Sequence, residues 1–557
     1  MIPVIHINKT KTIKKGNVIM KFKGMKKAIS ALLVMCMSLG IAGCGNHASN
    51  DGEFKLTTDG KYPMQTDETL RIWVNFTPTI DLASMNDSEF KKYLEQETGV
   101  KIEFEHPPVG STAEAFNLLL ASKDMPDIII YSWRNGDADS HIDTGAITDL
   151  TPYIEGGAMP NLKKIIDENE GYDALSQSMS GKYYYAPMIL GDDILRSYRT
   201  YVVRQDLLDK AGLEKPETLE EWEVMLRKFK EMGVEVPLQL DIAANNLIWE
   251  SQFLGPFNLM GDFYHDGDKI KFGLAEENFE DYLRTMKRWY DEGLIDKNFT
   301  DRNTARIDEL ITTGKCGAFF TSIGGGLGKY LSAVDPESGI EFTPVKIPVA
   351  KKGTKAMANN SQFRVHNVGA VISGTCKNKE LAARFLDYGY SEEGQLLWNF
   401  GKEGVSYTMA IDEETGEEYP KYTDIITDET KRGEGVTMSQ ALVRYASVGN
   451  PISVQNKWYL LQTYSSPLQR EAVEYANDSD IDKYALPPML FTTKENKEVS
   501  DKFEAIRTYI DETMVKIVVG QMDLEKGIKE YYETIEKMGI NEVIDMYQKA
   551  YDRYIGK

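Results

Sequence analysis

The sequence is poor in the residues that usually stabilise small secreted domains or bind metals. Of its 557 residues, 4 are cysteine and 6 are histidine. So few cysteines exclude a disulfide framework. A single disulfide between Cys316 and Cys376 is an alternative that the sequence does not decide, because it does not show whether the two thiols lie close together. The histidines lack metal-ligand spacing, and we expect neither a bound metal nor a cofactor.

Positive charge is also scarce. The chain has 64 Lys and Arg against 86 Asp and Glu, a formal net charge of −22. So acidic a chain excludes nucleic acid and anionic lipid as partners. Catalytic motifs are missing as well, since there is no HExxH, no GxSxG and no Walker loop. We therefore expect no enzyme, although a carboxylate pair for glycoside hydrolysis stays open among so many acidic residues.

One long hydrophobic run stands out at the N-terminus. Residues 1–43 contain eight lysines and no acidic residue, and they end in a run of 16 mostly apolar residues. The run is shorter than the about 20 residues of a spanning helix, and its basic start and small-residue end are typical of an export signal. We predict a signal peptide over 1–43, with residues 1–19 untranslated because Met20 or Met25 starts a signal of normal length. Its removal changes the net charge from −22 to −30.

The end of this run predicts a lipid anchor. The sequence "IAGC" at 41–44 resembles a bacterial lipobox, in which Cys44 is diacylated and becomes the first mature residue. The alternative is a spare cysteine near an ordinary cleavage site. Two acyl chains hold a protein on a membrane where one chain is marginal. Residues 44–68 are polar and turn-rich, which predicts a flexible tether with a reach of roughly 25 to 30 Å.

Strand and helix patterns alternate after the tether. The stretches 70–76, 100–106 and 126–133 read as strands, and helices are predicted between them, one ending at Gly99 and one opened by a capping box of Ser111 and Glu114. This order implies a doubly wound parallel sheet whose ligands sit outside the carboxyl ends of the strands. Those ends carry Trp73, Asn75, Trp133 and Arg134.

A second α/β unit begins near residue 200. Thr218 and Glu221 form a predicted capping box, Asp266-Gly267 predicts a hairpin, and 499–557 reads as helical. The glycine run 324–328 predicts a hinge or a close backbone approach.

Several stretches together resemble one protein family. They are "LLLASKDMPDIII", "YVVRQDLLDKAGLEKPETLEEW", "DEGLIDKNF", "YSEEGQLLWNFGKEGVSY" and "AYDRY". They look like the extracellular solute-binding proteins of carbohydrate ABC importers, especially the large lipoprotein branch. The resemblance implies an α/β, two-lobed periplasmic-binding-protein-like (type II) fold, each lobe a doubly wound sheet flanked by helices, with a helical C-terminal region. It also implies a sugar or oligosaccharide bound between the lobes.

The resemblance implies that the chain passes between the lobes several times. We expect passages near 183–188, 314–326 and 387–394, so that 69–187 and 325–389 form the N-terminal lobe, and 188–324 and 390–557 form the C-terminal lobe.

Some members of the family carry a calcium loop that this chain does not show. In this chain the sequence at the end of the helix at 218–232 and after it is "KEMGVEVPLQLD", which is not the Asp/Asn/Gly-rich loop of those members. We therefore predict no calcium site at this position. Asn135, Asp137 and Asp139 alternate in "NGDADSHID", but the glycine and the terminal glutamate of a calcium loop are missing. A solvated turn fits this run better.

A sugar site needs flat aromatic rings and fixed hydrogen-bonding groups. Trp222, Trp289 and Trp398 lie on helices at apolar spacing, which predicts core packing. Candidate ligand contacts are Trp73, Trp133, Trp249 and Trp458, each with core packing as the alternative, and Asn75, Arg134, Arg204 and Glu250 as hydroxyl partners, each with a structural role as the alternative.

These patterns predict a binding protein without chemistry of its own. We expect a monomer that is lipid-anchored on the extracytoplasmic face of the cell membrane and delivers a sugar or oligosaccharide to the permease subunits of an ABC transporter. The alternatives are a surface-anchored glycan hydrolase and a glycan-sensing or adhesive lipoprotein without transport. The sequence does not identify the sugar. The size of the chain and its scattered aromatic residues favour an oligosaccharide over a monosaccharide.

Overall fold

Two large β-sheets organise the part of the chain that the computed structural model describes, residues 56–556 except 58, 80–81, 134–137, 241–248, 250, 302, 359–362, 414, 434–435, 437, 448, 450, 465 and 488. The predicted signal peptide and Cys44 lie outside these residues. The strands are β1 (Thr69–Val74), β2 (Lys101–Glu105), β3 (Ile128–Ser132), β4 (Ala186–Leu190), β5 (Arg199–Arg204), β6 (Val236–Gln239), β7 (Phe263–Asp266), β8 (Lys269–Phe272), β9 (Cys316–Ser322), β10 (Phe342–Val345), β11 (Val365–Ile372), β12 (Tyr407–Ile411), β13 (Glu418–Tyr422) and β14 (Val454–Gln455).

The helices cover the sheets and form the C-terminal region. They are α1 (Glu89–Thr98), α2 (Thr112–Leu120), α3 (Ala138–Asp143), α4 (Thr151–Glu155), α5 (Pro160–Glu168), α6 (Tyr172–Ser176), α7 (Gln205–Ala211), α8 (Leu219–Glu231), α9 (Phe279–Asp291), α10 (Thr304–Thr312), α11 (Lys329–Ala333), α12 (Lys379–Tyr388), α13 (Glu392–Phe400), α14 (Asp424–Thr427), α15 (Glu429–Arg432), α16 (Met438–Tyr445), α17 (Lys457–Thr463), α18 (Pro467–Asn477), α19 (Ile481–Tyr484), α20 (Thr493–Val518), α21 (Leu524–Lys537) and α22 (Ile540–Tyr554).

The first sheet has the order β14-β4-β11-β3-β1-β2. Strand β1 pairs in parallel with β2 and with β3, as the alternation of strands and helices predicted. Strand β11 enters from later in the chain and runs antiparallel to β3 and β4. Both faces of this sheet are covered. Leu70 and Ile72 of β1 belong to one core, and Trp73 belongs to a second core on the other face.

The second sheet has the order β10-β5-β9-β6. Only β6 and β9 pair in parallel, and β5 is antiparallel to both of its neighbours. Its main core also takes in the last three helices, α20 to α22. Trp222 and Trp289 are fully buried in this core, and Trp398 is 5% exposed in the core of the first sheet, which confirms the predicted packing of all three.

The chain passes between the sheets later than the sequence suggested. Strands β9 and β10 both belong to the second sheet, so the return to the first sheet falls between β10 and β11 rather than near 314–326. Residues 325–389, which we expected in the N-terminal lobe, thus contribute a strand to each sheet. Residues 390–557 likewise contribute β14 to the first sheet, because β14 pairs with β4.

Local sequence signals explain several helix ends. The capping box of α8 is confirmed, with Glu221 N donating to Thr218 Oγ1 and Thr218 N donating to Glu221 Oε2. Helix α1 ends at Gly99, whose φ of 76° favours glycine. The capping box predicted for α2 is wrong, since Ser111 makes no side-chain cap there. The hairpin of β7 and β8 turns at Gly267, as predicted.

Part of the predicted tether packs against the body of the protein. Met64 is buried and its N–H donates to Thr98 O over 2.7 Å. The Tyr62 hydroxyl donates to Arg384 O over 2.6 Å, and the Thr57 hydroxyl donates to Glu380 over 2.6 Å. Of the predicted tether 44–68, the described residues from 56 onward are therefore held on α1 and α12.

The glycine run forms a short π-helix, Ile323–Gly328, that follows β9. A Cβ on Gly326 would lie 1.8 Å from Thr321 Oγ1, and one on Gly328 would lie 2.5 Å from Gln469 Nε2. These distances correspond to the close approach that was one of the two predicted roles of the run.

Candidate functional site

A cavity of about 300 Å³ lies between the cores of the two sheets. One wall comes from the first sheet and its helices, with the lining residues Asp139, Leu175, Ser178, Met179, Tyr184 and Phe363. The other wall comes from the segment before α20, from α20 and from α22, with the lining residues Leu486, Leu490, Phe491, Asn496, Val499 and Tyr547. The walls combine aromatic and aliphatic side chains with a few polar groups, the usual make-up of a small-molecule site.

The first wall stands at the carboxyl edge of the first sheet. Asp139 lies on α3, the helix that follows β3, and Phe363 lies just before β11. Since β11 is antiparallel to β3, with Val368 opposite Ser132, the start of β11 lies beside the end of β3. Two segments distant in sequence thus meet where the fold rule for parallel sheets predicts a ligand.

The second wall is built on packed aromatic rings. Tyr547 of α22 stacks on Phe263 with ring centroids 3.8 Å apart, and Phe491 meets Tyr547 edge-on at 4.8 Å. Burial raises the pKa of Tyr547 above its usual value. Because its ring is fixed by Phe263, Tyr547 presents a rigid surface to the cavity, which is what the C–H face of a sugar ring packs against.

Asp139 is a charged group of the first wall. Its carboxylate accepts hydrogen bonds from the hydroxyls of Ser178 and Ser180, both 2.6 Å long, and from Ser180 N at 3.1 Å. Burial raises the pKa of Asp139, but these hydrogen bonds outweigh it and hold the pKa below its usual value. The group is therefore ionised at neutral pH.

Two arginines stand next to the cavity, and each is paired with a carboxylate. Arg364, beside Phe363, lies 3.0 Å from Asp193. Arg196 lies 2.7 Å from Asp482, which belongs to α19 just before the second wall. Asp193 and Arg196 both belong to the linker between β4 and β5, so this linker forms one ion pair with each side of the cavity.

A larger and more open hollow, of about 590 Å³, lies beside β10. Its lining includes Lys215, Phe342 and Glu471, and Lys215 is paired with Glu471 over 2.8 Å. All of its lining residues come from the second sheet and the helices around it. It lacks an opposing wall from the first sheet, and we therefore place the candidate site in the smaller cavity between the two cores.

The sequence-predicted contacts on the first sheet do not line this cavity. Trp73 is 5% exposed and packs against Phe116 and Tyr131. Trp133 is 2% exposed, and its indole N–H donates to Ile129 O. Both belong to the core behind the first wall. Asn75 is exposed at the end of β1 and accepts a hydrogen bond from Thr112. Ligand contact by these three residues stays a prediction.

Arg204 lies at the opposite end of β5 from the linker that borders the cavity. It is buried, its guanidinium pairs with Asp206 over 2.6 and 2.8 Å, and it donates to Gly314 O. This geometry gives Arg204 a structural role in the second sheet, and ligand contact by it stays a prediction.

The remaining predicted contacts lie elsewhere. Trp249 packs on the core of the second sheet and donates to Asp511 over 2.9 Å. Trp458 stacks on Tyr419 with centroids 4.4 Å apart, on the two-stranded sheet of β12 and β13. Arg134 and Glu250 lie outside the described residues.

Sequence reasoning missed the aromatic residues of the cavity. Tyr184 belongs to "YYYAPM", where we expect a passage between the lobes. Phe363 is an isolated aromatic in the polar stretch "NNSQFRVH", and Phe491 ends the irregular stretch "LPPMLF". Aromatic residues inside polar or proline-rich loops were the available signal, because such residues have no helix or strand stripe to pack into.

The structure also describes the cysteines and the remaining site classes. Cys316 and Cys376 are buried free thiols. In the described ranges, no three His, Cys, Asp or Glu side chains group so that they could hold a metal ion. None of the helices in those ranges combines the length and the apolar character that crossing a bilayer requires.

Two known protein families match different parts of this chain. A family described as bacterial extracellular solute-binding protein matches residues 83–396, and a domain of unknown function (DUF3502) matches residues 489–556. Phe491, Asn496 and Tyr547 lie within the second match. The fructooligosaccharide ABC transporter substrate-binding protein FusA of Streptococcus pneumoniae is 26% identical over 567 residues, covering 96% of this chain and 99% of that protein. The lipoprotein LipO of Bacillus subtilis is 23% identical and covers 96% and 99%.

Solved structures share the fold. The structure of FusA in complex with kestose has a TM-score of 0.69 at 21% identity, covering 88% of this chain and 100% of that one. The alginate-binding protein AlgQ2 without calcium has a TM-score of 0.68 at 22% identity, covering 87% and 99%. The predicted α/β, two-lobed fold is thereby confirmed. Because the first family match spans more than half of its 557 residues, the chain belongs to the family of bacterial extracellular solute-binding proteins.

Proposed function

We propose that this protein captures a sugar or oligosaccharide in the cavity between the two sheets and delivers it to an ABC transporter permease. The observation that carries the proposal is the cavity itself, which is lined by packed aromatic rings of one wall and by a hydrogen-bonded carboxylate of the other. The name of FusA, a fructooligosaccharide substrate-binding protein similar over nearly the whole chain, supports a carbohydrate ligand.

Closure of the two walls on the ligand is the proposed working step. The lobes are the first sheet, built from 69–190, 365–372 and 454–455, and the second sheet with α20 to α22. A ligand that touches both walls stabilises the closed form because only that form makes both sets of contacts. The permease then recognises the closed form. Cys44, as a diacylated residue, keeps the protein at the extracytoplasmic face of the membrane.

The test is a thermal-shift screen of the mature protein against neutral and acidic oligosaccharides. A ligand at 100 times its dissociation constant adds about 2.7 kcal/mol of stability. Phe491→Ala removes an aromatic of the cavity and is expected to weaken binding about tenfold or more. Tyr554→Ala, an exposed tyrosine of α22, is the matched control and leaves the affinity unchanged.

Two outcomes would contradict this proposal. Release of reducing sugar during long incubation would indicate a glycan hydrolase. Sugar uptake that persists after deletion of the gene, while the protein still binds the sugar, would indicate a sensor or an adhesin. We expect no release of reducing sugar, and loss of uptake on deletion.

A further inference from the structure

Asp139 places a fixed negative charge in the wall of the cavity. Among the described residues, its Oδ1 accepts from the hydroxyls of Ser178 and Ser180, and its Oδ2 accepts from Ser180 N. An ionised carboxylate offers about four acceptor positions, so these three donors leave Oδ2 able to accept one more hydrogen bond. Because both serines hold the carboxylate in place, that acceptor is oriented before a ligand arrives.

Three cations near the cavity in the described part of the chain are paired with carboxylates other than Asp139. Lys182, whose charge helps to lower the pKa of Asp139, lies 3.5 Å from Asp143. Arg364 and Arg196 lie beside Asp193 and Asp482. Among the described residues, the charge of Asp139 is therefore stabilised mainly by hydrogen bonds from Ser178 and Ser180, with Lys182 as a further, weaker contribution.

We propose that Asp139 makes the site selective for neutral, hydroxyl-rich oligosaccharides over oligosaccharides that contain uronates. This inference rests on the proposed function and deepens it by naming the ligand class and the residue that selects it. A sugar hydroxyl donates to Oδ2 in a charge-assisted hydrogen bond, which is stronger than a bond to a neutral acceptor. A uronate carboxylate in the same position meets like charge and has no proton to donate.

The effect of the like charge is large enough to set specificity. Two unit charges about 6 Å apart at a site of intermediate polarity repel strongly enough to change affinity by roughly 10- to 100-fold. Asp139 lies on the short helix α3 and lines the same cavity as Asn496 and Tyr547 of the second wall, so a ligand that fills the cavity comes near its charge.

The experiment compares neutral with uronate trisaccharides on the full mature protein. The neutral probes are kestose, maltotriose and raffinose, and the acidic probes are trimers of alginate and of polygalacturonan, all measured by isothermal titration calorimetry. The wild type is expected to bind at least one neutral trimer, and to bind it at least 10-fold tighter than either acidic trimer. Asp139→Asn is expected to reduce that preference about 10-fold, through weaker neutral and stronger acidic binding.

Two further variants separate the charge of Asp139 from its effect on folding. Asp143→Asn removes the same charge from the same helix at an exposed position that does not line the cavity, and it is expected to keep the wild-type preference. Asp139→Glu keeps the charge and is expected to keep the discrimination against uronates even where it weakens neutral binding. Unfolding midpoints show which variants are folded.

Each remaining outcome overturns a different statement. Tight binding of acidic trimers by the wild type, or an unchanged preference in folded Asp139→Asn, overturns the selectivity of Asp139 and leaves the proposed function standing. If no trisaccharide of either class binds the wild type, the proposed function falls and this inference falls with it.

Discussion

Asp387 is expected to make the stability of this protein fall as the pH rises through the weakly acidic range. The residue lies on α12, is 1% exposed and caps the start of α5, accepting from Leu162 N over 2.9 Å and from the Asn161 amide over 2.8 Å. Burial raises its pKa to about 6, and the hydrogen bonds from α5 together with Arg384 only partly offset that rise.

The sign and size follow from the two pKa values. The unfolded chain has the ordinary value of 3.8, so the native state keeps the proton of Asp387 to a higher pH than the unfolded state does. The stability contributed by the protonated form is complete below about pH 4 and is lost as the pH rises through about 6. A difference of about two pKa units corresponds to about 3 kcal/mol.

Urea unfolding of the wild type and of Asp387→Asn from pH 4 to pH 7 measures this effect. Asparagine does not titrate, so the stability difference between the two proteins is expected to shift by about 3 kcal/mol across this range. Other carboxylates contribute equally to both proteins and cancel. Asp167→Asn, an exposed position on α5, should track the wild type. Parallel pH profiles for the wild type and Asp387→Asn would refute the reasoning.

Three further variants test the structural roles described above. Arg204→Gln removes the two guanidinium hydrogen bonds of buried Asp206, which keeps its contacts with Lys210 and Glu341 N, and it is expected to cost about 2 to 3 kcal/mol without changing sugar affinity. Arg227→Gln breaks an exposed pair and is expected to cost less than about 1 kcal/mol. Weaker sugar binding by folded Arg204→Gln would instead support its predicted ligand role. Gly326→Ala meets a side chain at 1.8 Å and is expected to cost about 1 to 3 kcal/mol, whereas Gly325→Ala, with its nearest neighbour at 3.5 Å, is tolerated; equal melting temperatures would contradict this. Tyr62→Phe loses one hydrogen bond and is expected to cost about 1 kcal/mol and to speed proteolysis before residue 64, and unchanged cleavage would show that the segment is not held there.

The sequence predicted elements well where one local signal decides the structure. The helix α8 has its capping residues and its apolar stripe within 14 residues, and both are confirmed. The parallel order of β2, β1 and β3 follows from their alternation with helices. Gly99 ends α1 because its backbone conformation favours glycine.

Pairings over long sequence distances were beyond such signals. Strand β10 joins β5 across more than a hundred residues, and β14 adds two residues to the edge of the first sheet. The local sequence of neither strand indicates which strand it pairs with. The sequence therefore did not predict that β10 belongs to the second sheet or that β14 belongs to the first.

The aromatic candidates show why exposure is hard to infer from a strand. In β1, the alternation of Ile72 and Trp73 predicts that they face opposite sides, and they do. The second side is covered by α2, whose Phe116 packs on Trp73, so Trp73, which the sequence predicts to face a cleft, lies inside a core. Period two distinguishes the faces of a strand but does not say which face a later helix covers.

The charge of the chain and the charge of the cavity act at different distances. The net charge, −22 for the full sequence and −30 without the predicted signal peptide, repels acidic polymers from afar, but at physiological ionic strength this field is screened within about 8 Å. A uronate that reaches the cavity comes within about 6 Å of Asp139, a distance at which salt screens the repulsion only weakly. Added salt should therefore change how fast acidic sugars arrive more than how well they compete with neutral ones. Selectivity in this protein is thus assigned to one carboxylate held by two serines, rather than to the acidic surface as a whole.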